Sequence, residues 1–204
     1  MKKTMILLAV LFCCAFALQE AGAGPAEQDA QESFDRANDL YNEGSYDKAI
    51  REYNRVIVLL PDFADAYYNR GLAYYKLRKY DEAIQDYDKA LAINNKNPDF
   101  FSSRAIAYLR KGQYHEAIED YTIVISMNPK LAEAYHNRGI AYSNTGRYDD
   151  AIEDYNKAIS LKPSDPNAYS SRGVAYTRKA LNDFNRSCEM GNANACDNAK
   201  QLSK

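Results

Sequence analysis

The chain has 204 residues, 46% of them hydrophobic, which is enough apolar material to bury a continuous core. Its formal charge is −2, from 26 basic and 28 acidic residues that are interspersed. No basic block occurs, so the electrostatic footprint of a nucleic-acid-binding protein is missing.

In chain order the first element is a leader. Lys2-Lys3 is followed by the apolar run Met5–Leu18 and by small residues at Ala15-Phe-Ala17 and Ala21-Gly-Ala23. A run of 14 residues is too short for a comfortable membrane span, so no stable span is expected. The pattern predicts a bacterial secretory signal peptide over residues 1–23, cleaved after Ala17 or Ala23, and a periplasmic or secreted protein. Phe12 precedes Cys13 and Cys13 precedes Cys14, where a lipidated cysteine needs a small residue before it, which argues against a lipid anchor. Residues 24–29 read as a short flexible lead-in.

From residue 30 onward the sequence repeats. Ala49, Ala83, Ala117 and Ala151 stand 34 residues apart, as do Ile50, Ile84, Ile118 and Ile152, and Tyr53, Tyr87, Tyr121 and Tyr155. Such a period marks stacked two-helix units, none of which buries its apolar face alone. In Ala49/Ile50/Tyr53/Val56/Ile57 the apolar residues fall at helical spacings and form one broad face. Gly44, Gly112 and Gly146 stand where the first helix of a unit must stop, and Pro61, Pro129 and Pro163 follow the second helix. Asp65, Asp99 and Glu133 fall in first turns, where a carboxylate complements the helix dipole.

The fourth unit is the cleanest: Ala132-Glu-Ala-Tyr135-His-Asn-Arg138-Gly139-Ile-Ala-Tyr142, then Gly146-Arg-Tyr148-Asp-Asp-Ala151-Ile152, then Tyr155, Ala158 and Pro163. It resembles the tetratricopeptide repeat. The resemblance covers about residues 30–187, with units near 30–63, 64–97, 98–131 and 132–165 and a shortened fifth at 166–187. It implies an all-α, right-handed α-solenoid that displays a concave surface to a partner, and it names no partner.

The fifth unit departs from the template. Eight residues separate Tyr142 from Ala151, but only Thr177-Arg178-Lys179 separate Tyr176 from Ala180, so five residues carrying the turn are missing. Tyr169, Gly173, Tyr176, Ala180, Phe184 and Cys188 then form an unbroken helical stripe, which predicts one fused helix from about Asn167 to Met190. A strained hairpin is the alternative. Residues 188–204 form a C-terminal cap. Its segment Phe184-Asn-Arg-Ser-Cys188-Glu-Met-Gly191-Asn-Ala-Asn-Ala-Cys196 resembles the cysteine-rich Sel-like helical repeats of the bacterial envelope. That resemblance, with an exported compartment, implies a Cys188–Cys196 disulfide rather than two free thiols. No metal site and no cofactor is expected, because His115 and His136 are the only histidines and neither has clustered ligands beside it.

Two columns carry charge in every unit: Arg36, Arg70, Arg104, Arg138 and Arg172, and Glu52, Asp86, Asp120, Asp154 and Asp183. A row of five arginines suggests an anion stripe, but an acidic column of equal regularity favours a structural pair inside each unit. Arg172 and Asp183 should fail to pair if their helices are fused. Ser45-Tyr-Asp-Lys48 matches the Ser-x-x-Lys of penicillin-recognising serine enzymes. Other units place Lys79, Gln113 and Arg147 at the Ser45 position, so it reads as a polar turn residue, and no enzyme is expected.

Fifteen of the 18 tyrosines occupy four repeating columns; Tyr41, Tyr68 and Tyr75 do not. All three lie on first helices, which line the concave surface in the family that the repeats resemble. Phe34 shares the Tyr68 column, Leu72 lies between Tyr68 and Tyr75, and Lys76 and Arg110 edge the same face. These seven residues form the candidate site for a protein or peptide partner in the cell envelope. The alternative is that the aromatics pack against neighbouring helices. A carboxylate clamp of the kind that holds chaperone tails would use Asn38 and Asn69. Phe34, Asp99 and Ser103 stand where its basic residues belong, and they argue against it. A self-assembling structural protein and an envelope hydrolase are the other functional readings.

Overall fold

The computed structural model describes residues 24–203; the predicted signal peptide, with Cys13 and Cys14, lies outside them. The described residues form ten helices and no strand. They are α1 (Pro25–Asn42), α2 (Tyr46–Leu59), α3 (Ala64–Lys76), α4 (Tyr80–Ile93), α5 (Pro98–Lys111), α6 (Tyr114–Met127), α7 (Ala132–Asn144), α8 (Tyr148–Leu161), α9 (Pro166–Glu189) and α10 (Ala193–Leu202). Residues 25–29, read as a lead-in, are the first turns of α1.

Each odd-numbered helix packs on the even-numbered helix that follows it, and each even-numbered helix packs on the next odd one. First helices of successive units also touch each other, whereas among the described residues second helices do not. The stack is therefore an α-solenoid whose inner side is formed by α1, α3, α5, α7 and α9.

The core is built from the repeating columns. Ala49, Ala83, Ala117 and Ala151 are fully buried, and Tyr53, Tyr87, Tyr121 and Tyr155 are at most 2% exposed. Backbones approach closely at Gly71 and Gly139, where an added Cβ would meet the rings of Tyr87 and Tyr155 at 2.7 Å. The turns explain a second column. Gly44, Gly112 and Gly146 end their first helices at φ between 76° and 80°, a left-handed conformation that glycine adopts without cost. Unit two places Arg78 there, at φ 61°. Asn97 and Asp165 cap α5 and α9 by accepting hydrogen bonds from the Asp99 and Asn167 amides.

The fifth unit is one helix of 24 residues, Pro166–Glu189, without a turn near Thr177. Gly191, at φ 93°, then reverses the chain into α10. Cys188 and Cys196 form a disulfide across that reversal.

Candidate functional site

The charged columns line the seam between the two layers. Arg104 donates from Nε and Nη2 to Asp120 at 2.9 and 2.7 Å. It also donates from Nη1 to Asp88 of the preceding unit. Arg138 repeats this with Asp154 and Thr122, and Arg70 with Asp86 and Asn54. Each arginine thus bonds its own second helix bidentately and the previous second helix at once. Its guanidinium also stacks on aromatic rings of its own helix, as Arg138 does on Tyr135 and Tyr142. Burial pushes the three aspartates up, against the pull of their arginines. These arginines are committed to structure and leave no anion stripe. The ends of the stack differ. Arg36 is exposed, and the buried Glu52 Oε2 has no partner among the described residues. Arg172 bonds Asn156 of the preceding unit and makes no bond to Asp183.

The inner face carries several recesses between successive units, and two of them involve candidate residues. A recess of about 270 Å³ is lined by Asn38, Tyr41, Asn42, Tyr53, Asn69 and Leu72. One of about 400 Å³ is lined by residues that include Ile106, Leu109, Arg110, Asn137, Ile140 and Asn144. The linings follow the repeat, since Leu72, Ile106 and Ile140 continue the Asn38 column, and Asn137 shares the Asn69 column. Both linings mix carboxamides with aromatic or aliphatic side chains, and the second also holds Glu133 beside Arg110.

The first recess is held in shape by hydrogen bonds. Asn38 Oδ1 accepts from the Tyr53 hydroxyl at 2.7 Å and from Asn69 Nδ2 at 3.1 Å. Burial raises the Tyr53 phenol well above its ordinary value, so it remains a donor at all ordinary pH. With its oxygen occupied twice, Asn38 has two amide protons left, and Asn69 has its carbonyl oxygen left. A peptide group offers the complementary pair, one acceptor and one donor. At the far end of the face, His136 Nε2 lies 3.0 Å from Ser171 Oγ, and burial lowers its pKa.

The structure divides the seven candidate residues. Tyr41 and Leu72 line the first recess, and Arg110 lines the second. Arg110 Nε donates to the Tyr75 hydroxyl at 3.1 Å, which links α5 to α3, and Lys76 is exposed on α3. Phe34 and Tyr68 turn into contacts between helices. Phe34 lies against Tyr53 and Phe63. Tyr68 lies against Tyr87 and Phe100, and its hydroxyl is 3.1 Å from Ser103 Oγ. Sequence reasoning left out Asn42, Asn137 and Asn144, whose signal was their shared columns. Ser45 is half-buried in the turn before α2, and among the described residues no hydrogen bond joins its hydroxyl to Lys48.

Comparison with known proteins agrees with this architecture. Models described as tetratricopeptide repeat match residues 34–98, 86–119 and 132–165, and one described as TPR repeat matches 107–146. This chain is built from tetratricopeptide repeats. Among solved structures it is similar to the MamA protein, at 28% identity over 76% of this chain and 85% of that one, with a TM-score of 0.73. It is similar to the first repeat domain of Spaghetti bound to an HSP90 peptide, SRMEEVD, at 29% identity over 57% of this chain and 93% of that domain, with a TM-score of 0.56. It shares its fold with YrrB, a tetratricopeptide protein with an unusual peptide-binding site, at 22% identity over 88% of this chain and 100% of that one, with a TM-score of 0.68. A search of curated proteins found no match.

Proposed function

We propose that the chain is an exported interaction module whose inner face binds an extended segment of another protein. The observation that carries this is the Asn38–Asn69 pair. Two carboxamides are pre-oriented by hydrogen bonds, Asn38 to Tyr53 and Asn69 to Asn38, so that one keeps donors and the other an acceptor free beside a recess of mixed polarity. Side chains fixed before binding lose little entropy on contact, which favours a backbone-reading site. Tyr41 supplies a broad aromatic wall and Leu72 an apolar floor, so an apolar side chain of the ligand has a place beside its peptide group. The likeness to a repeat domain solved with an HSP90 peptide supports a peptide as ligand. The mode differs from a carboxylate clamp, since Phe34 and Ser103 are spent on packing and hydrogen bonding where a clamp holds cations.

Export is supported by the basic, apolar and small-residue order of residues 2–23, and by the Cys188–Cys196 disulfide, a bond that oxidising compartments favour. The intact mass of the chain recovered from its producing cells tests this, since retention of residues 1–23 would overturn it.

The groove is tested with displayed peptides. Peptides selected on the purified chain should bind Asn69→Ala and Tyr41→Ala at least about tenfold more weakly, a loss of ~1.4 kcal/mol, with melting temperature nearly unchanged. Selection of no peptide, or equal binding by both variants, would show that the recess is not the site.

A further inference from the structure

The second and fourth units each close at one contact. In the fourth, the Tyr155 ring fills the space beside Gly139, while Arg138 holds Asp154. The second unit does the same with Gly71, Tyr87, Arg70 and Asp86.

In the fifth unit the receiving half of this contact survives unfilled. Arg172 and Gly173 stand in the same columns on α9. Gly71 and Gly139 are buried, but Gly173 is exposed, and nothing lies within 4 Å of where its Cβ would be. Tyr169 and Tyr176, whose counterparts are half-buried in the fourth unit, are 44% and 52% exposed. Arg172 holds Asn156 but no carboxylate among the described residues. The donating half survives too: Ala180-Leu-Asn-Asp183-Phe184 repeats the pattern of Ala151-Ile-Glu-Asp154-Tyr155. Without five residues of turn it cannot fold back, and it continues along the same helix. Arg172 and Asp183 are then ~16 Å apart along the axis and within about 20° of one azimuth. The exposed face of α9 therefore carries a cation near one end, an anion near the other, and a glycine gap matched to a ring. It is complementary to itself when reversed.

We propose that α9 closes on a second copy of this chain, as an antiparallel two-fold pair. The Asp183 carboxylate of each copy fills the Arg172 fork of the other, and each Phe184 ring enters the gap at the other's Gly173. The two-fold axis passes near Arg178. This is an exchange of second half-units across a hinge too short to turn, and each copy completes the other's fifth repeat. The occupant is a second copy rather than a foreign helix, because this chain supplies both halves of the contact on one face, with matching charges. Beside the α10 hairpin Asp183 is exposed and Phe184 half-buried, so the pairing requires the Phe184 ring to turn outward from that packing.

The test is light scattering on the purified chain and on three variants. The unaltered chain should move from one-chain to two-chain mass as concentration rises. Arg172→Asp and Asp183→Arg, each alone, would set like charges together twice per dimer and should weaken association ~100-fold or more. Mixing these two variants rebuilds both ion pairs, so the mixture should recover two-chain mass where neither component does. Replacing Thr177–Lys179 with the eight residues between Tyr142 and Ala151 restores the turn and should give a monomer of unchanged helicity. A one-chain mass for the unaltered chain at every concentration would overturn the pairing and leave the face to another protein. A mixture no better associated than its components, or a turn-restored chain that still dimerises, would overturn it equally.

Discussion

The fourth and fifth units carry equivalent residues in the same order, yet one is a closed hairpin and the other an open helix. Arg138, Gly139, Asp154 and Tyr155 meet within the fourth. Arg172, Gly173, Asp183 and Phe184 lie along one face of α9 and cannot meet within a single chain. The difference is the turn. Gly146 stops α7 in the left-handed conformation, and the fifth unit has lost the stretch that would carry its equivalent. A column's residue types thus state which contact it is suited to make, and the loop length decides whether that contact forms within the chain.

The largest test of this contrast concerns the aromatic columns. Tyr155 is 2% exposed, so Tyr155→Ala should cost ~4 kcal/mol, a cavity effect seen as a large drop in the denaturant midpoint. Tyr176 is 52% exposed on the open helix. Its alanine variant, in dilute solution where the chain is monomeric, should lose less than ~1 kcal/mol. Similar losses for both would mean that the fifth unit is closed in solution.

The ion pairs come next. Arg138 and Asp154 are 16% and 6% exposed at the side chain, so either alanine variant strands a largely buried charge and should cost ~3 kcal/mol. In a double-mutant cycle the two should couple by ~1 kcal/mol or more. Arg172 and Asp183 should show no coupling under the same dilute conditions. A measurable coupling there in the monomer would require a hairpin that α9 does not have.

Much of this was legible in the sequence because repetition multiplies weak signals. One alanine before a tyrosine means little, whereas the same pair at 34-residue intervals fixes a buried face. The Arg and Asp columns implied pairing, and the missing five residues implied the fused helix. The groove was harder to read. Asn42, Asn137 and Asn144 look like ordinary surface residues, and only the packing of first helix on first helix brings such amides to the rim of a recess. Phe34 and Tyr68 depart from the template, which left both exposure and packing open. Their rings settle between helices because Phe63 and Phe100 present aromatic partners there, a matter of side-chain placement that periodicity does not encode. Arg78 shows the opposite case. Its column demands a left-handed residue, the turn forms regardless, and the chain bears a strain of ~1 kcal/mol that glycine would relieve.

The smallest and most diagnostic prediction uses one substitution in two places. An alanine methyl at Gly139 would sit 2.7 Å from Tyr155 Cε1 and close to two further ring atoms. That ring is pinned in the core, so Gly139→Ala should destabilise the chain by ~1–3 kcal/mol through overpacking, despite alanine's better helix propensity. At Gly173 nothing lies within 4 Å of the same methyl, and the residue is in the interior of α9. There propensity is the only term left in the monomer, so Gly173→Ala should stabilise it by up to ~1 kcal/mol, read as a raised melting temperature in dilute solution. The same variant should associate more weakly than the unaltered chain, because the methyl occupies the gap that a second copy's Phe184 would enter. Opposite signs at the two glycines would show that the turn, and not the column, sets the fate of the fifth unit. A destabilised Gly173→Ala in the monomer would instead mean that a ring already fills that gap within one chain.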